Sequence, residues 1–244
     1  MKNLEVIPHG FDTKNFFEQS GQKEECRKRV GIPQGKFVIG TVNKNQPRKD
    51  MANALIAFAE FKDTLPKGHN VCLYLHTYYD DPTGVNLRTV GDKLGLVWEK
   101  DYTMPMHKKY TDGAYTLSDM NDVYNSFDVF LTTSTAEGWG LTLTEAICCK
   151  LPIIFGYHTS QKEIAAPLKS GKCIELTKSV QIHDGNAIRY KLNPTEIAKW
   201  MNLFYKQYQA GEKENFDKYD EVIKKYNWDS IAIEWSVIIA KLLK

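Results

Sequence analysis

The sequence predicts an α/β domain built on parallel strands, and three observations carry that prediction. Val129–Leu131 and Ile153–Phe155 are short apolar runs flanking a small-residue turn and a helical pattern, which reads as strand, turn, helix and parallel strand. Lys36–Val42 is a second apolar run, followed by the basic loop Asn43–Asp50 and helical periodicity over Ala52–Phe61. Asn70–His76 then repeats the pattern, with a polar loop and a helix over Val85–Leu94 after it. Such alternation belongs to the α/β class rather than to all-helical or all-strand domains.

The remaining elements are assigned in order. Glu5–Asp12 is expected as a short strand entering a Pro-His-Gly turn, and Lys23–Gly31 as a charged helix closed by Gly31 and Pro33. Asp101–Met104 is expected as a short strand. Leu117–Phe127 is expected as a helix with Ser118 or Asp119 at its start, feeding through Asp128 into the Val129 strand. After Phe155 come the loop Gly156–Ser160, a short helix beginning at Glu163 and Ile164, and a strand over Cys173–Leu176. Gly185–Tyr190 reads as a loop or weak strand. Asn193-Pro194 is a strong helix start, with Asn193 as the cap and proline at the first position. A last apolar helix spans Ser230–Leu243.

Composition narrows the function. The 244 residues are 42% hydrophobic and 25% charged, an ordinary globular balance with ample length for a core. The net charge of +2 and the scattered lysines describe a solvated face, not a nucleic-acid surface. Five cysteines (Cys26, Cys72, Cys148, Cys149, Cys173) form an odd set without C-x-x-C spacing. That argues against a disulfide framework and a zinc site and for a reducing compartment, hence a cytoplasmic location. Glu5, Pro8 and His9 interrupt the stretch a signal peptide would need, and no apolar run approaches the roughly 20 residues of a membrane span. The last helix has enough Trp, Ile and Leu to touch a membrane surface.

The chemistry concentrates between Val129 and Phe155. Gly138 and Gly140 stand where the turn meets the helix, with Glu137 on the turn and Glu145 eight positions later inside the helix. The first N–H groups of a helix lack intrahelical partners and carry partial positive charge, so a phosphate is their natural guest. Two acids beside that phosphate would repel it if it were bare, and suit hydroxyls that it carries. The structural reading of the same residues is a capped helix with two surface acids. At the carboxyl end of the Lys36–Val42 strand, Lys44, Arg48 and Lys49 lie on the edge where open α/β sheets bind ligands. There they would offset the charge of a departing diphosphate.

The run Glu137-Gly138-Trp139-Gly140-Leu141-Thr142-Leu143-Thr144-Glu145, continued by Ala146 and Leu151–Ile154, resembles the E-x7-E signature of retaining nucleotide-sugar glycosyltransferases of the GT-B architecture, family 4 type. The resemblance covers roughly residues 5 to 243 and implies a Rossmann-like, mostly parallel sheet with helices on both faces, forming one donor-binding domain over residues 1–244. Members of the family carry an acceptor-binding domain before this half, so the resemblance implies that such a domain is absent here, or is supplied by a partner chain. It assigns the nucleoside ribose to Glu145 and sugar hydroxyls to Glu137. The diphosphate falls to the helix start at Gly138, Trp139, Gly140, Leu141 and Thr142 and to the cationic loop. The region of Met104 would hold the nucleobase, and the segment ending at Gly10 would form the linker into the domain. The family's cationic loop carries an arginine with a lysine five positions on. Lys44 and Lys49 match the spacing with lysine first, and Arg48 is the alternative forked donor. The resemblance implies metal-independent transfer with no cofactor beyond the nucleotide sugar.

Two functions follow: transfer of a sugar from its nucleotide diphosphate, or recognition of the nucleotide sugar without turnover by a module that works with a partner. A nicotinamide dehydrogenase is a third option, and the lack of G-x-G-x-x-G after a first strand with an acid about 20 residues on argues against it.

Overall fold

The computed structural model describes residues 4–105, 110, 112–113, 115–168, 170–181, 186–212 and 215–243. Six strands form one parallel sheet in the order β3-β2-β1-β4-β5-β6. They are β1 (Phe37–Val42), β2 (Val71–His76), β3 (Tyr102–Thr103), β4 (Val129–Leu131), β5 (Ile153–Gly156) and β6 (Gly171–Cys173). β4 lies in register beside β1, with Ile39 opposite Val129. The sheet therefore grows outward in both directions from the β1–β4 pair.

Period-two alternation splits each strand between two cores. Val38, Phe130, Ile153 and Phe155 face a core shared with α4 (Leu117–Asn125), α5 (Leu141–Cys148), α6 (Thr159–Ala165) and α8 (Asp217–Tyr226). Phe37, Ile39, Leu131 and Ile154 face the other, filled by α2 (Met51–Asp63), α3 (Leu87–Lys93) and α7 (Pro194–Gln209). A sheet covered on both faces needs continuous apolar runs, which is why the strands carry so few polar residues. The fold is the expected Rossmann-like one.

Several elements differ from the sequence reading. Glu5–Asp12 is not a strand; only Phe11 pairs, as an isolated bridge to Asn227. α4 ends at Asn125, two residues short of the expected Phe127, and its start carries a reciprocal capping box between Thr116 and Asp119. α6 starts at Thr159, ahead of Glu163. The expected Cys173–Leu176 strand is instead the end of β6 and the start of β7 (Leu176–Gln181), which pairs antiparallel with β8 (Ala187–Leu192). Gly185 lies outside the described residues. α8 has no counterpart in the sequence reading, because its buried face is only Tyr219, Val222 and Tyr226 in a charged run. α9 (Trp228–Leu242) starts two residues early, capped by Asn227.

At the amino end of the sheet, Asp128 is nearly fully buried. It accepts hydrogen bonds from the Arg27 guanidinium (2.7 Å), the Lys23 amine (2.6 Å) and the Val38 N–H (2.7 Å). This carboxylate ties α1 (Lys23–Val30) to the start of β1 and β4. Stripping one partner from a buried ion pair leaves an uncompensated charge. Asp128→Ala should thus lower stability by about 3–5 kcal/mol in urea unfolding, whereas Lys150→Ala, which breaks an exposed pair with Asp220, should change it by less than about 1 kcal/mol.

α9 buries only Ile231 and exposes Ile233, Trp235, Val237, Ile239 and Leu242 around its circumference. Apolar surface on all sides of a helix favours association. Light scattering should show a molar mass that rises with concentration, and Trp235→Glu with Ile239→Lys should suppress the rise. A constant monomer mass in the unaltered chain would contradict this expectation.

Candidate functional site

Because β1 and β4 are neighbours, the loops that leave them share one edge of the sheet. The loop after β1 (43–50) ends in a 3-10 turn over Pro47–Lys49. The loop after β4 is fastened to it: Thr135 donates its N–H (2.7 Å) and its hydroxyl (3.0 Å) to the Arg48 carbonyl, and the Thr133 hydroxyl donates to the Lys49 carbonyl (2.9 Å). These bonds hold the carbonyls of Arg48 and Lys49 and leave their side chains to reach onward.

Both reach Glu137. The Lys49 amine donates to Glu137 Oε1, and Arg48 Nη1 donates to Oε2 at 3.2 Å. Side-chain exposure is 11% for Lys49 and 8% for Glu137, against 41% for Arg48. Burial pushes the Glu137 carboxyl up, but Lys49, the Ser134 hydroxyl and Arg48 outweigh it and leave the acid below its ordinary range. Burial also lowers the Lys49 amine, by more than Glu137 lifts it. Desolvation thus dominates on the lysine and charge pairing on the acid.

Lys44 does not join this cluster. It is exposed and pairs at 3.7 Å with Asp81, on the loop after β2. The forked donor beside Glu137 is Arg48.

α5 opens at Gly140, whose φ of 93° is a left-handed conformation that favours glycine. No side chain caps the helix, and the Gly140 carbonyl accepts the N–H groups of Leu143 and Thr144. Gly138 has a different basis: a side chain there would meet nothing within 4 Å. Protein packing does not demand this glycine, and it leaves the backbone open to approach. Leu141 is exposed and Thr142 half-exposed at the helix start. Trp139 turns away, its ring set edge-on to Phe11 and Tyr226 at centroid distances of 6.3 and 5.5 Å. It anchors the loop.

Glu145 projects from α5 towards α4, where Tyr124 donates its hydroxyl to Oε2. Burial raises its pKa to about 7, with a further lift from Asp12 and an opposing pull from the Tyr124 hydrogen bond. Met104 is buried at the end of β3 and lines a cavity of about 930 Å³ with Thr77, Tyr79 and Trp98. Three strand spacings separate β3 from β4, roughly 15 Å. Gly10 is buried where a Cβ would run into the Trp228 ring, so packing alone explains it. A second cavity, about 260 Å³, lies by Phe37, Phe127 and Val129 at the opposite end of the strands.

The sequence reading missed other residues at this edge. The Ser160 hydroxyl donates to the carbonyls of Glu137 (3.1 Å) and Trp139 (2.8 Å), and the Glu137 N–H donates to Thr159 Oγ1 (3.3 Å). The side chains of Thr41, Asn43 and Gln161 are buried, with polar atoms that meet no partner. Buried polar atoms are seldom left so, and those that are call for a specific reason. The one sequence signal was the His158-Thr159-Ser160 run directly after β5, hydroxyls placed at the ligand edge.

Comparison with known proteins fits this geometry. Residues 111–198 match the sequence model of the family described as glycosyl transferases group 1. The chain is 29% identical over 155 residues to alpha-monoglucosyldiacylglycerol synthase of Acholeplasma laidlawii, aligning 62% of this chain with 35% of that protein. It superposes on sucrose-phosphate synthase of Thermosynechococcus elongatus with a TM-score of 0.70 at 16% identity, over 98% of this chain and 52% of that one. HepE of Anabaena, solved in complex with UDP and glucose, gives 0.68 at 17% identity over 97% of this chain and 57% of that one. The chain spans about a third of the curated relative (35%) and about half of the two solved chains (52% and 57%).

Glu145 supplies a test of the site's electrostatics. Its folded-state pKa of about 7 lies above the ordinary 4.5, so the folded state prefers the neutral acid. The associated stability is present below about pH 4.5 and is lost as pH rises through about 7, by on the order of 3 kcal/mol. Glu145→Gln should flatten that slope. Tyr124→Phe, which removes the donor favouring the charged form, should move the Glu145 carboxyl titration upward in carbon-13 NMR.

Proposed function

We propose that the chain binds a nucleotide-diphosphate sugar and transfers the sugar to an acceptor with retained configuration, a reading supported by the match of residues 111–198 to the model of the group 1 glycosyl transferases and by the fold shared with GT-B glycosyltransferases. The observation that carries this reading is the contact of Lys49 and Arg48 with Glu137 at the β1–β4 switch point. In open α/β sheets the crevice outside the strand ends at such a point is where ligands bind. The UDP and glucose held by HepE, with which this chain shares its fold, support the ligand class.

In this mechanism the diphosphate lies against the uncapped start of α5 and draws Lys49 and Arg48 to itself. Both cations are then relieved of Glu137, whose carboxylate is released to accept hydrogen bonds from sugar hydroxyls. Glu145 takes the ribose, and the cavity beside Met104 takes the base, a spread along the sheet edge that suits a nucleotide better than a lone phosphate. As the glycosidic bond breaks, negative charge grows on the leaving diphosphate, where fixed cations and helix N–H groups stabilise it most. The acceptor oxygen attacks from the face the diphosphate vacates, its proton passing to a diphosphate oxygen. Lys49 and Arg48 supply the charge compensation in this scheme.

The same experiments separate transfer from recognition alone. Glu137→Gln should abolish sugar transfer or donor hydrolysis while circular dichroism stays unchanged, and unchanged turnover would remove Glu137 from the mechanism. In calorimetry with uridine, guanosine and adenosine diphosphates, Arg48→Ala should weaken the preferred ligand about tenfold or more, the loss of one charge-assisted hydrogen bond. Lys44→Ala should stay within about threefold. Binding without transfer or hydrolysis across the panel would favour a recognition module.

A further inference from the structure

The β7–β8 hairpin stands apart from the main sheet, yet it reaches the Glu137 loop by two routes. The Tyr190 N–H donates to the Thr135 carbonyl at 3.0 Å, an oxygen two residues from Glu137. The Tyr190 ring stacks on His158, with centroids 5.5 Å apart and planes inclined by 28°. His158 Nδ1 lies 3.2 Å from Thr159 Oγ1, and that oxygen accepts the Glu137 N–H. Ser160, next in the chain, donates to the carbonyls on either side of Gly138. At the far end of β8, the Leu192 carbonyl accepts the Asn53 amide of α2 at 2.9 Å, which fixes the hairpin to the body of the domain.

Thr159 has a φ of 47°, a conformation that is costly for a β-branched residue and persists only where surrounding contacts enforce it. A simple connection from β5 to α6 does not need that cost. What the strained turn achieves is to aim two consecutive hydroxyls at the backbone of the Glu137 loop.

We propose that the β7–β8 hairpin, through Tyr190 and His158, together with the hydroxyls of Thr159 and Ser160, forms a positioning device that fixes the Glu137 carboxylate between Lys49 and Arg48. Tyr190 and Ser160 are positioning residues, acting through the backbone of the loop and touching no ligand. The kinetic consequence rests on the reading of Glu137 as a sugar-binding acid; the positioning itself does not. It follows that displacement of the hairpin loosens a carboxylate that the hairpin never contacts directly.

The test reads Glu137 itself. Carbon-13 NMR titration of its carboxyl in the full chain, assigned with Glu137→Gln, should show Tyr190→Ala and Ser160→Ala each raising its apparent pKa by about half a unit or more, as contact with the cations loosens. Tyr190→Phe, which keeps the ring on His158 that the alanine variant removes, should titrate like the unaltered chain. In the same samples, calorimetry with uridine diphosphate and with UDP-glucose should show the alanine variants losing severalfold affinity for the sugar nucleotide and less than about twofold for the diphosphate. Alanine variants that titrate as the unaltered chain does overturn the proposal. So do alanine variants that unfold, since the hairpin and α6 would then hold the domain together and not one carboxylate. If the unaltered chain binds neither nucleotide, the glycosyl transfer reading falls, while the titration still decides the positioning.

Discussion

The pairing of β1 with β4 is the constraint from which the rest of the site follows. The two strands are separated by two strand–helix units, yet Ile39 lies opposite Val129 and Gly40 opposite Phe130. The chain leaves β1 towards β2 and β3, then returns to lay β4 on the other side of β1. At that reversal the loops after the two strands are not separated by a crossing helix and so meet. The Thr133 and Thr135 bonds to the carbonyls of Lys49 and Arg48 turn this adjacency into a fixed joint. The cations and the acid are brought together by topology first and by attraction second.

Some local rules of folding are broken at that edge. Asp50 and Thr159, each at the start of a helix, have φ of 47° without being glycine. Thr41, Asn43 and Gln161 bury polar atoms without partners. Asp50 is buried enough for its carboxyl to titrate above the ordinary value despite Lys191. Strain and unmet polarity each cost on the order of 1–3 kcal/mol; Glu99 and Lys150 have positive φ elsewhere, and His69 and Asp101 bury partnerless atoms elsewhere, but at this rim both kinds of cost stand beside the Lys49–Glu137 pair. Consistency across levels is the rule in natural sequences, and departures from it concentrate where function opposes stability.

What could be read from the sequence tracks how local each determinant is. The buried strands were legible because a sheet covered on both faces requires unbroken apolar runs, and Phe37–Val42 and Val71–His76 supply them. The Glu137–Glu145 run was legible because its spacing lies within one turn and one helix. Helix α8 was not, since three buried side chains in a charged segment give too faint a stripe. The hairpin was legible only as a loop or weak strand near Tyr190, since its described side chains are exposed or half-exposed and only Leu192 is buried. The choice between Lys44 and Arg48 could not be made from spacing, because it depends on which way the Pro47–Lys49 turn faces. For Ser160 only the loop was legible and not the role, because a serine that binds the backbone of a distant loop leaves no periodic trace.

The Glu137 cluster combines two requirements that usually conflict. A site for a diphosphate needs concentrated positive charge, but uncompensated cations at a partly buried edge are costly in the empty protein. Glu137 resolves this by occupying both cations, whose charge holds its carboxyl below the ordinary range against the effect of burial. An incoming diphosphate offers more negative charge than a single carboxylate and, at the uncapped start of α5, a second set of donors. Exchange of one anion for the other therefore needs little reorganisation of Lys49, which is held at its carbonyl and largely buried. In the proposed mechanism the displaced carboxylate would remain a strong acceptor directly beside the ligand, where hydroxyls are the partners that can satisfy it. In that mechanism the same charge that holds Lys49 and Arg48 would become the group that distinguishes a sugar-bearing diphosphate from a bare one.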